Sequence, residues 1–412
     1  MSKTQLHRLP KFIKERLERM SPKPSKLQAQ YRRIFLKHSR DRTVNYGSKE
    51  SLVYAASRYG LVYAEQKQIY QEIAMLFPNF SPQRVLDLGT GPGQTLWAVQ
   101  SQWGTNTGDI VSSKQATRLH FTCIEPAKSM RDIANKMHCT DTFSNTTVSW
   151  FSGLRQLIEP KVRDQEEKKA TNLKSFDLAI ASHVLGEMGD ERARRAAVRL
   201  TWELLNPGGF LVIVEKGDGP GFSTVSDLRN VIRNDEAMQS EIIAPCKHNH
   251  GCPLYLSEEL AQLEFDGADG GEDLGAAHNA PVCHFPVRGE SIGASGFRHS
   301  YFSYIVVQKA GNADNEKIED GSVARILGFP RKRRGHVLIN VCHNGGDINS
   351  LTISKKNNKE IPGIYKFSRK ARWGDLFPPP KGCERYVVQK AEDDGEVGST
   401  FVDSDGIEKT II

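Results

Sequence analysis

The sequence predicts an α/β protein: a parallel sheet covered on both faces, preceded by helices and followed by a small β-rich unit. Three observations carry this. Between residues 81 and 240, strand-length apolar runs alternate with helical stretches. A glycine-rich turn joins the first of those runs to a helix start. Beyond residue 295, short apolar runs recur about every ten residues, as in a small barrel or sheet. A chain of 412 residues exceeds what one hydrophobic core serves, so several domains are expected. No apolar run approaches the roughly 18–20 residues that cross a bilayer, so no membrane partner is expected.

Residues 1–80 read as a basic helical region. "KFIKERLERM" and "LVYAASRYGLVYAEQKQIYQEIAMLF" repeat apolar side chains at three- and four-residue spacing. Residues 1–50 hold 14 Lys/Arg against 4 Asp/Glu, so the rest of the chain is slightly acidic although the whole carries +7. Such an arm suits a phosphate backbone, an organellar targeting segment or simple solvation. Seven cysteines, an odd number without a secretory signal, point to a reducing compartment.

Residues 81–240 read as the sheet domain. "RVLDLGTGPGQTLWAVQ" is a strand, a turn and a helix start; "RLHFTCIEP", "FDLAIASHVL" and "GGFLVIVEKG" are further strands. "SMRDIANKM" and "DERARRAAVRLTWELL" are helices between them. Gly89, Gly91 and Gly93 let the backbone approach a ligand at the C-terminal edge of the sheet, where helix N–H groups also point. Asp87 precedes this turn, and Glu125 ends the next strand, where a carboxylate can accept from two ribose hydroxyls. A tight strand–helix turn needs glycines without any ligand as well. The G-x-G-x-G spacing, "IEP" and "LLNPGGFLVIVEKG" resemble the Rossmann-like S-adenosylmethionine-dependent methyltransferase fold. That resemblance implies an S-adenosylmethionine site on Asp87, Gly89, Gly91, Gly93 and Glu125. Catalytic residues stay unassigned: where amino-group methyltransferases carry an Asn/Asp-Pro-Pro-aromatic segment, this chain reads "ASHVLGEM". His183 and Glu187, four apart, serve either as base and orienting acid or, more plainly, in local polar contacts.

Residues 241–294 form a cysteine-rich segment with an acidic, glycine-rich loop, "EFDGADGGEDLGAAHNA". Cys123 lies in an apolar strand and reads as structural; Cys139 and Cys383 have no companion. Cys246, Cys252, Cys283 and Cys342 each sit in a loop-like setting: "APCKH", "GCPL", "VCHFP" and "VCHNGG". Four such thiolates suit tetrahedral zinc or a 4Fe–4S cluster. The C-x₅-C spacing is loose for structural zinc, while His248, His250, His284 and His343 keep zinc open.

Residues 295–380 read as a basic β-rich domain, with "FRHSYFSYIVVQK", "SVARILGF", "GHVLINVCHN", "INSLTISKK" and "GIYKFSRKARWGDLF" as its strands. Arg331, Lys332, Arg333 and Arg334 form a basic turn; Lys366, Arg369, Lys370 and Arg372 follow, interleaved with Tyr365, Phe367 and Trp373. Basic side chains neutralise RNA phosphates and aromatics between them stack on bases, although lysines also guard exposed sheet edges. If Cys342 joins the 246–252 loop at one metal, that centre holds the β-rich unit against the sheet domain. Residues 381–412 read as an acidic tail.

"APCKHNHGCPL", "CHF", "RILGFPRKRRGHVLINVC" and "RKARWGDLFP" resemble mitochondrial small-ribosomal-subunit assembly factors of the methyltransferase-like protein 17 group, over roughly residues 45–380. The resemblance implies a 4Fe–4S cluster on Cys246, Cys252, Cys283 and Cys342. It also implies a mitochondrial matrix location and association with small-subunit mitochondrial rRNA and pre-ribosomal small-subunit proteins. The acidic insertion between Cys252 and Cys283 departs from the family pattern and makes Cys283 the least secure ligand. Two other functions stay open: an active S-adenosylmethionine-dependent rRNA methyltransferase with a structural metal, and a resident ribosomal protein.

Overall fold

The computed structural model describes residues 4–21, 24–36, 44–104, 118–138, 146–158, 176–256, 282–290, 292, 297–311, 324–356, 363–378, 399–402 and 408–411. The acidic loop after Cys252, Cys139, Cys383 and most of the acidic tail lie outside them. Nine strands make one sheet: β1 (Leu6–His7), β2 (Arg84–Leu88), β3 (Leu119–Ile124), β4 (Thr146–Phe151), β5 (Phe176–Ser182), β6 (Leu205–Lys216), β7 (Ser240–Ala244), β8 (Phe285–Glu290) and β9 (Phe297–Lys309). The helices are α1 (Lys11–Met20), α2 (Pro24–Tyr31), α3 (Ser48–Leu76), α4 (Gln94–Trp103), α5 (Lys128–His138), α6 (Arg155–Ile158), α7 (Glu191–Glu203), α8 (Gly219–Asn234), α9 (Pro253–Leu256) and α10 (Ile364–Lys370). None of the described helices is long and apolar enough to cross a membrane.

Strand order is β1-β8-β9-β6-β5-β2-β3-β4, with β7 also paired to β9. Strands β2 to β6 are mutually parallel, and β9 runs antiparallel to β6, β7 and β8. A single antiparallel strand beside the fifth parallel one is the arrangement of the methyltransferase fold that the glycine turn resembles. Alternate side chains feed two apolar layers. Val85, Phe121, Leu178 and Ile180 pack with α3, α4 and α5; Leu86, Ala179, Leu211 and Ile213 pack with α7 and α8. Asp190 and Asp218 start α7 and α8 by accepting from Arg192 N–H and Gly221 N–H, both at 2.9 Å.

From Leu6 to Met20 the N-terminal arm is built into the molecule. β1 extends the sheet beside β8, Ile13 and Leu17 are fully buried, Lys14 pairs with Glu290 at 3.3 Å, and Arg16 donates to the Lys136 carbonyl at 2.8 Å. Part of the arm's charge is therefore spent on docking.

The small unit is a four-stranded antiparallel sheet, β12-β11-β10-β13, from β10 (Ala324–Lys332), β11 (His336–Cys342), β12 (Ile348–Ser354) and β13 (Leu376–Phe377). It curls around its own core of Ile326, Val337, Ile339, Val341 and Ile353, and among the described residues it does not close into a barrel. Two segments differ from the sequence expectation. Phe297–Lys309 belongs to the large sheet, because its "YIVVQ" run is apolar on both faces: Ile305, paired with Ile213, and Val307 enter one core, Tyr304 and Val306 the other. Ile364–Lys370 is a helix: Ile364 and Ser368 are buried one turn apart, and the Ser368 hydroxyl donates to the Ile364 carbonyl at 2.6 Å. The edge strand β4, only half-buried and rich in Ser and Thr, lacks the apolar run that marks the others.

Candidate metal centre and glycine-turn edge

The glycine turn leaves β2 at Asp87 and enters α4 at Gln94. Gly89, Gly91 and Gly93 all have positive φ. A Cβ on Gly89 would lie 2.5 Å from the Val184 side chain, whereas nothing comes closer than 3.9 Å to one on Gly91. Gly91 N–H and Ala127 N–H donate to the two Glu125 oxygens at 2.9 and 2.8 Å. Both carboxylate oxygens are thus engaged by the chain's own backbone. Asp87 is the opposite case. It is 1% exposed, and neither oxygen has a partner of good geometry. Burial pushes its carboxyl up to about 8, against the pull of the Thr90 and Thr95 hydroxyls. Gln94 Oε1 and Ser182 Oγ are likewise buried without partners.

The far side of this edge follows β5. His183 is the one described non-glycine residue with positive φ (55°), and its Nε2 lies 2.5 Å from Glu65 Oε2. Glu65, on α3, is 0% exposed and also meets Arg58 at 3.2 Å and the Ser300 hydroxyl at 2.5 Å. Burial alone would raise the Glu65 carboxyl, but His183, Arg58 and Ser300 together hold it below its ordinary value. Tyr46 donates to Glu187 at 2.7 Å, and Gly186 N–H to Glu215 at 2.9 Å. His183 and Glu187 therefore face separate internal partners, and α3 with the residues before it supplies most of them. Arg58 and Glu65 had one sequence signal: two charges, two helical turns apart, inside an otherwise apolar run.

The four cysteines come from four places. Cys246 follows β7, Cys252 precedes α9, Cys283 precedes β8 and Cys342 ends β11. They gather with Phe222, Leu254 and Leu327 in one small cluster at the seam between the two sheets. Cys246, Cys252, Cys283, His248 and Arg229 line a small cavity there. Ligating atoms of Cys246, His248 and Cys342 lie within 4.8 Å of one another. The Cys342 thiol beside it holds Cys246 well below the ordinary thiol range, helped by His248 and by the Arg325 and Arg229 guanidinium groups. Burial, then neighbouring thiolate charge, pushes Cys252 up to about 11 and Cys283 well above its usual value. One sulfur ionises easily and the rest resist. A cation at the centre would reverse that, since a coordinating thiol is deprotonated outright. The donor set therefore fits a metal. Two buried guanidinium groups, Arg229 at 5% and Arg325 at 3% exposure, lie beside the cysteines, and Arg325 is itself paired with Glu72.

Arg325 also ties the seam. It donates to the Pro245 carbonyl at 2.5 Å and the Gly374 carbonyl at 2.6 Å, and forms an ion pair with Glu72 of α3. Beyond it, the β10–β11 hairpin exposes Lys332, Arg333 and Arg334, and β12 ends beside them in exposed Lys355 and Lys356. Lys366, Arg369 and Lys370 are exposed on α10, and Arg369 donates to the Arg333 carbonyl at 3.3 Å. Arg331 and Arg372 are only partly exposed; the Arg372 N–H is bonded to Asp375 at 2.8 Å. Of the interleaved aromatics, Trp373 is buried against His284 and Phe329, and Phe367 packs on Phe377. They serve the core, leaving the exposed face to charge.

A family model described as "Rsm22: Mitochondrial small ribosomal subunit Rsm22" matches residues 48–378. The chain belongs to the Rsm22 family. The match begins at α3 and takes in the glycine turn, all four seam cysteines and the basic hairpin. This Rsm22-family chain is 24% identical over 349 residues to human "Ribosome assembly protein METTL17, mitochondrial", covering 81% of this chain and 64% of that one. It is 21% identical over 422 residues to Saccharomyces cerevisiae "Ribosome assembly protein RSM22, mitochondrial", covering 77% and 65%. Two Schizosaccharomyces pombe Rsm22-cox11 tandem proteins are 29% identical over 240 residues, covering 50% of this chain and 29% of theirs. The chain thus spans less than two thirds of the length of each of these relatives. Solved structures similar to it include the plantazolicin methyltransferase BpumL in complex with SAH (TM-score 0.34, 13% identity, 73% of this chain and 99% of that one). Another is a putative RNA methyltransferase from Pyrococcus horikoshii (TM-score 0.33, 8% identity, 61% and 85%). The fold of the Rsm22-family chain rests on its own strand order, not on these distant overlays.

Proposed function

We propose that this chain is a mitochondrial assembly protein of the small ribosomal subunit, acting in the matrix on small-subunit rRNA. In this reading Cys246, Cys252, Cys283 and Cys342 hold a 4Fe–4S cluster that fastens the basic sheet to the methyltransferase-like domain. The observation that supports it is the gathering of four cysteines from separate segments in one cluster at the seam, beside two buried arginines, with Cys246 and Cys342 close enough to share an ion. The cluster supplies a cross-link and one-electron redox chemistry; the chain's own residues supply the RNA-binding face. Mitochondrial names and ribosome assembly belong to the relatives METTL17 and RSM22, and support the location and the partner. Anaerobically purified protein is expected to be brown, with four iron and four sulfide per chain, on the order of the content of one such cluster. Stoichiometric zinc without sulfide would remove the iron assignment. For RNA, replacing Arg333 and Arg334 by alanine is expected to weaken binding and flatten its salt dependence by about one unit of slope per lost phosphate contact.

A second reading, an active rRNA methyltransferase, draws on Asp87, Gln94 and Ser182, whose buried polar atoms lack partners at the cofactor edge. Against it, Glu125, His183 and Glu187 are engaged by the protein itself. Titration with S-adenosylmethionine, followed by a search for methylated nucleotide, separates the two.

A further inference from the structure

His248 lies at the cysteine seam, close to both Cys246 and Cys342. It is 5% exposed and sits two residues after Cys246. Its Nε2 is 3.6 Å from the Cys342 sulfur. Its Nδ1 faces two groups: Arg229 Nη2 at 3.1 Å and the His250 backbone N–H at 3.3 Å. Arg229 is held in place independently, donating to the His248 carbonyl at 2.5 Å and, through Nε, to the His250 carbonyl at 3.1 Å.

Those contacts determine the tautomer. A guanidinium and a backbone amide have protons to give and no lone pair to offer, so Nδ1 must be the acceptor of both. The neutral ring then carries its proton on Nε2, the nitrogen aimed at Cys342. A metal ligand at Nε2 would need a lone pair there, which moves the proton to Nδ1, against two donors. Flipping the ring sets a C–H against the same donors and loses both bonds.

We infer that His248 is an N–H···S hydrogen-bond donor to Cys342, locked in that role by Arg229, and thus a positioning residue of the sulfur centre rather than one of its ligands. The inference rests on the four-cysteine cluster reading above. A hydrogen bond to a ligating sulfur draws charge away from the cluster and favours its reduced state. It also fixes the Cys342 side chain at the end of β11, the point where the basic sheet is fastened.

The test uses the full chain, purified anaerobically. His248→Phe keeps a ring and deletes the donor; it is expected to retain full iron and sulfide. Its cluster should be harder to reduce by about a tenfold change in the redox equilibrium, about 59 mV for one electron. His248→Gln, which keeps an N–H, should recover much of that shift. Loss of iron in His248→Phe, to the extent seen in Cys246→Ala, would make His248 a ligand and overturn the inference. So would full occupancy with an unchanged potential. A wild-type measurement covers the case of variants that do not fold. With ¹⁵N-labelled histidine, pulsed electron–nuclear spectroscopy of the reduced cluster should show only a weak coupling, and a strong one means direct ligation. If the wild type holds zinc, the cluster reading fails but the inference remains decidable. Zinc kept by His248→Phe supports the donor role, and zinc lost refutes it.

Discussion

The cysteine seam and the glycine-turn edge both bury titratable groups, but their partners come from different sources. At the edge, Glu125 is bonded by backbone N–H groups, His183 by Glu65, and Glu187 by Tyr46. At the seam, the thiols face one another, His248 and two arginines. A group satisfied by its own chain gains little from a ligand; a set of thiols that cannot all ionise together gains a great deal from a cation. The difference teaches that burial alone does not mark a ligand site: at the edge α3 and the backbone supply the partners of the charged groups, whereas at the seam the thiols crowd one another.

The strongest way to break this contrast is Cys246→Ser with Cys342→Ser. Metal should be lost, and hydrogen-exchange protection in β10 and β11 should fall by on the order of 5 kcal/mol or more, the scale of structural metal sites. Amides of β2 and β5 should keep their protection. Equal loss in both regions would mean that the seam is part of one undivided core. Next comes Arg325→Met, which strands Glu72 and two carbonyls and should cost about 3–5 kcal/mol. Metal content should not change, and adding Glu72→Met should recover much of the loss in a thermal melt. Metal loss in the single variant would show that the ionic tie and the cysteine tie are one device.

Much of this division is legible in the sequence, and the illegible part has physical causes. Strand, turn and helix around Asp87 follow from a buried apolar run ending in glycines, a local pattern. Four loop cysteines stand out because thiols are scarce. Phe297–Lys309 looks the same whether it starts a new sheet or inserts into the old one, since strand periodicity says nothing about the neighbour. Trp373 among basic residues satisfies a stacking surface and a core equally well, and only tertiary packing decides for the core. The locked tautomer of His248 depends on Arg229, nineteen residues away on α8, so no local pattern contains it.

Asp87 sharpens the contrast from the other side, because it is an edge carboxylate whose oxygens lack partners of good geometry. Its folded-state value of about 8 lies above the ordinary carboxylate range. Between about pH 4 and pH 8 the folded chain keeps a proton that the unfolded chain has released, so stability falls as pH rises through that window. Asp87→Asn removes the titration. It should stabilise the protein at pH 7 by up to about 4 kcal/mol and flatten the melting temperature against pH from 5 to 8. An unchanged profile would mean that Asp87 is ionised in the folded protein, held by a donor such as a bound ligand.

The smallest effects distinguish packing from binding at two neighbouring glycines. Gly89→Ala meets Val184 and keeps a positive φ, so it should cost about 2 kcal/mol through strain and overpacking together. Gly91→Ala keeps only the backbone strain, about 1 kcal/mol, because its added methyl meets Gln94 and the Gly89 carbonyl no closer than 3.9 Å, an ordinary contact distance. A nucleoside bound at this turn would have to share that position with the methyl. A working cofactor site therefore predicts that Gly91→Ala lowers S-adenosylmethionine affinity at least about tenfold, or about 1.4 kcal/mol, while barely moving the melt. In a protein whose edge is only a docking surface, the two alanines differ in stability alone. A calorimetric titration of the wild type then shows no saturable heat to lose.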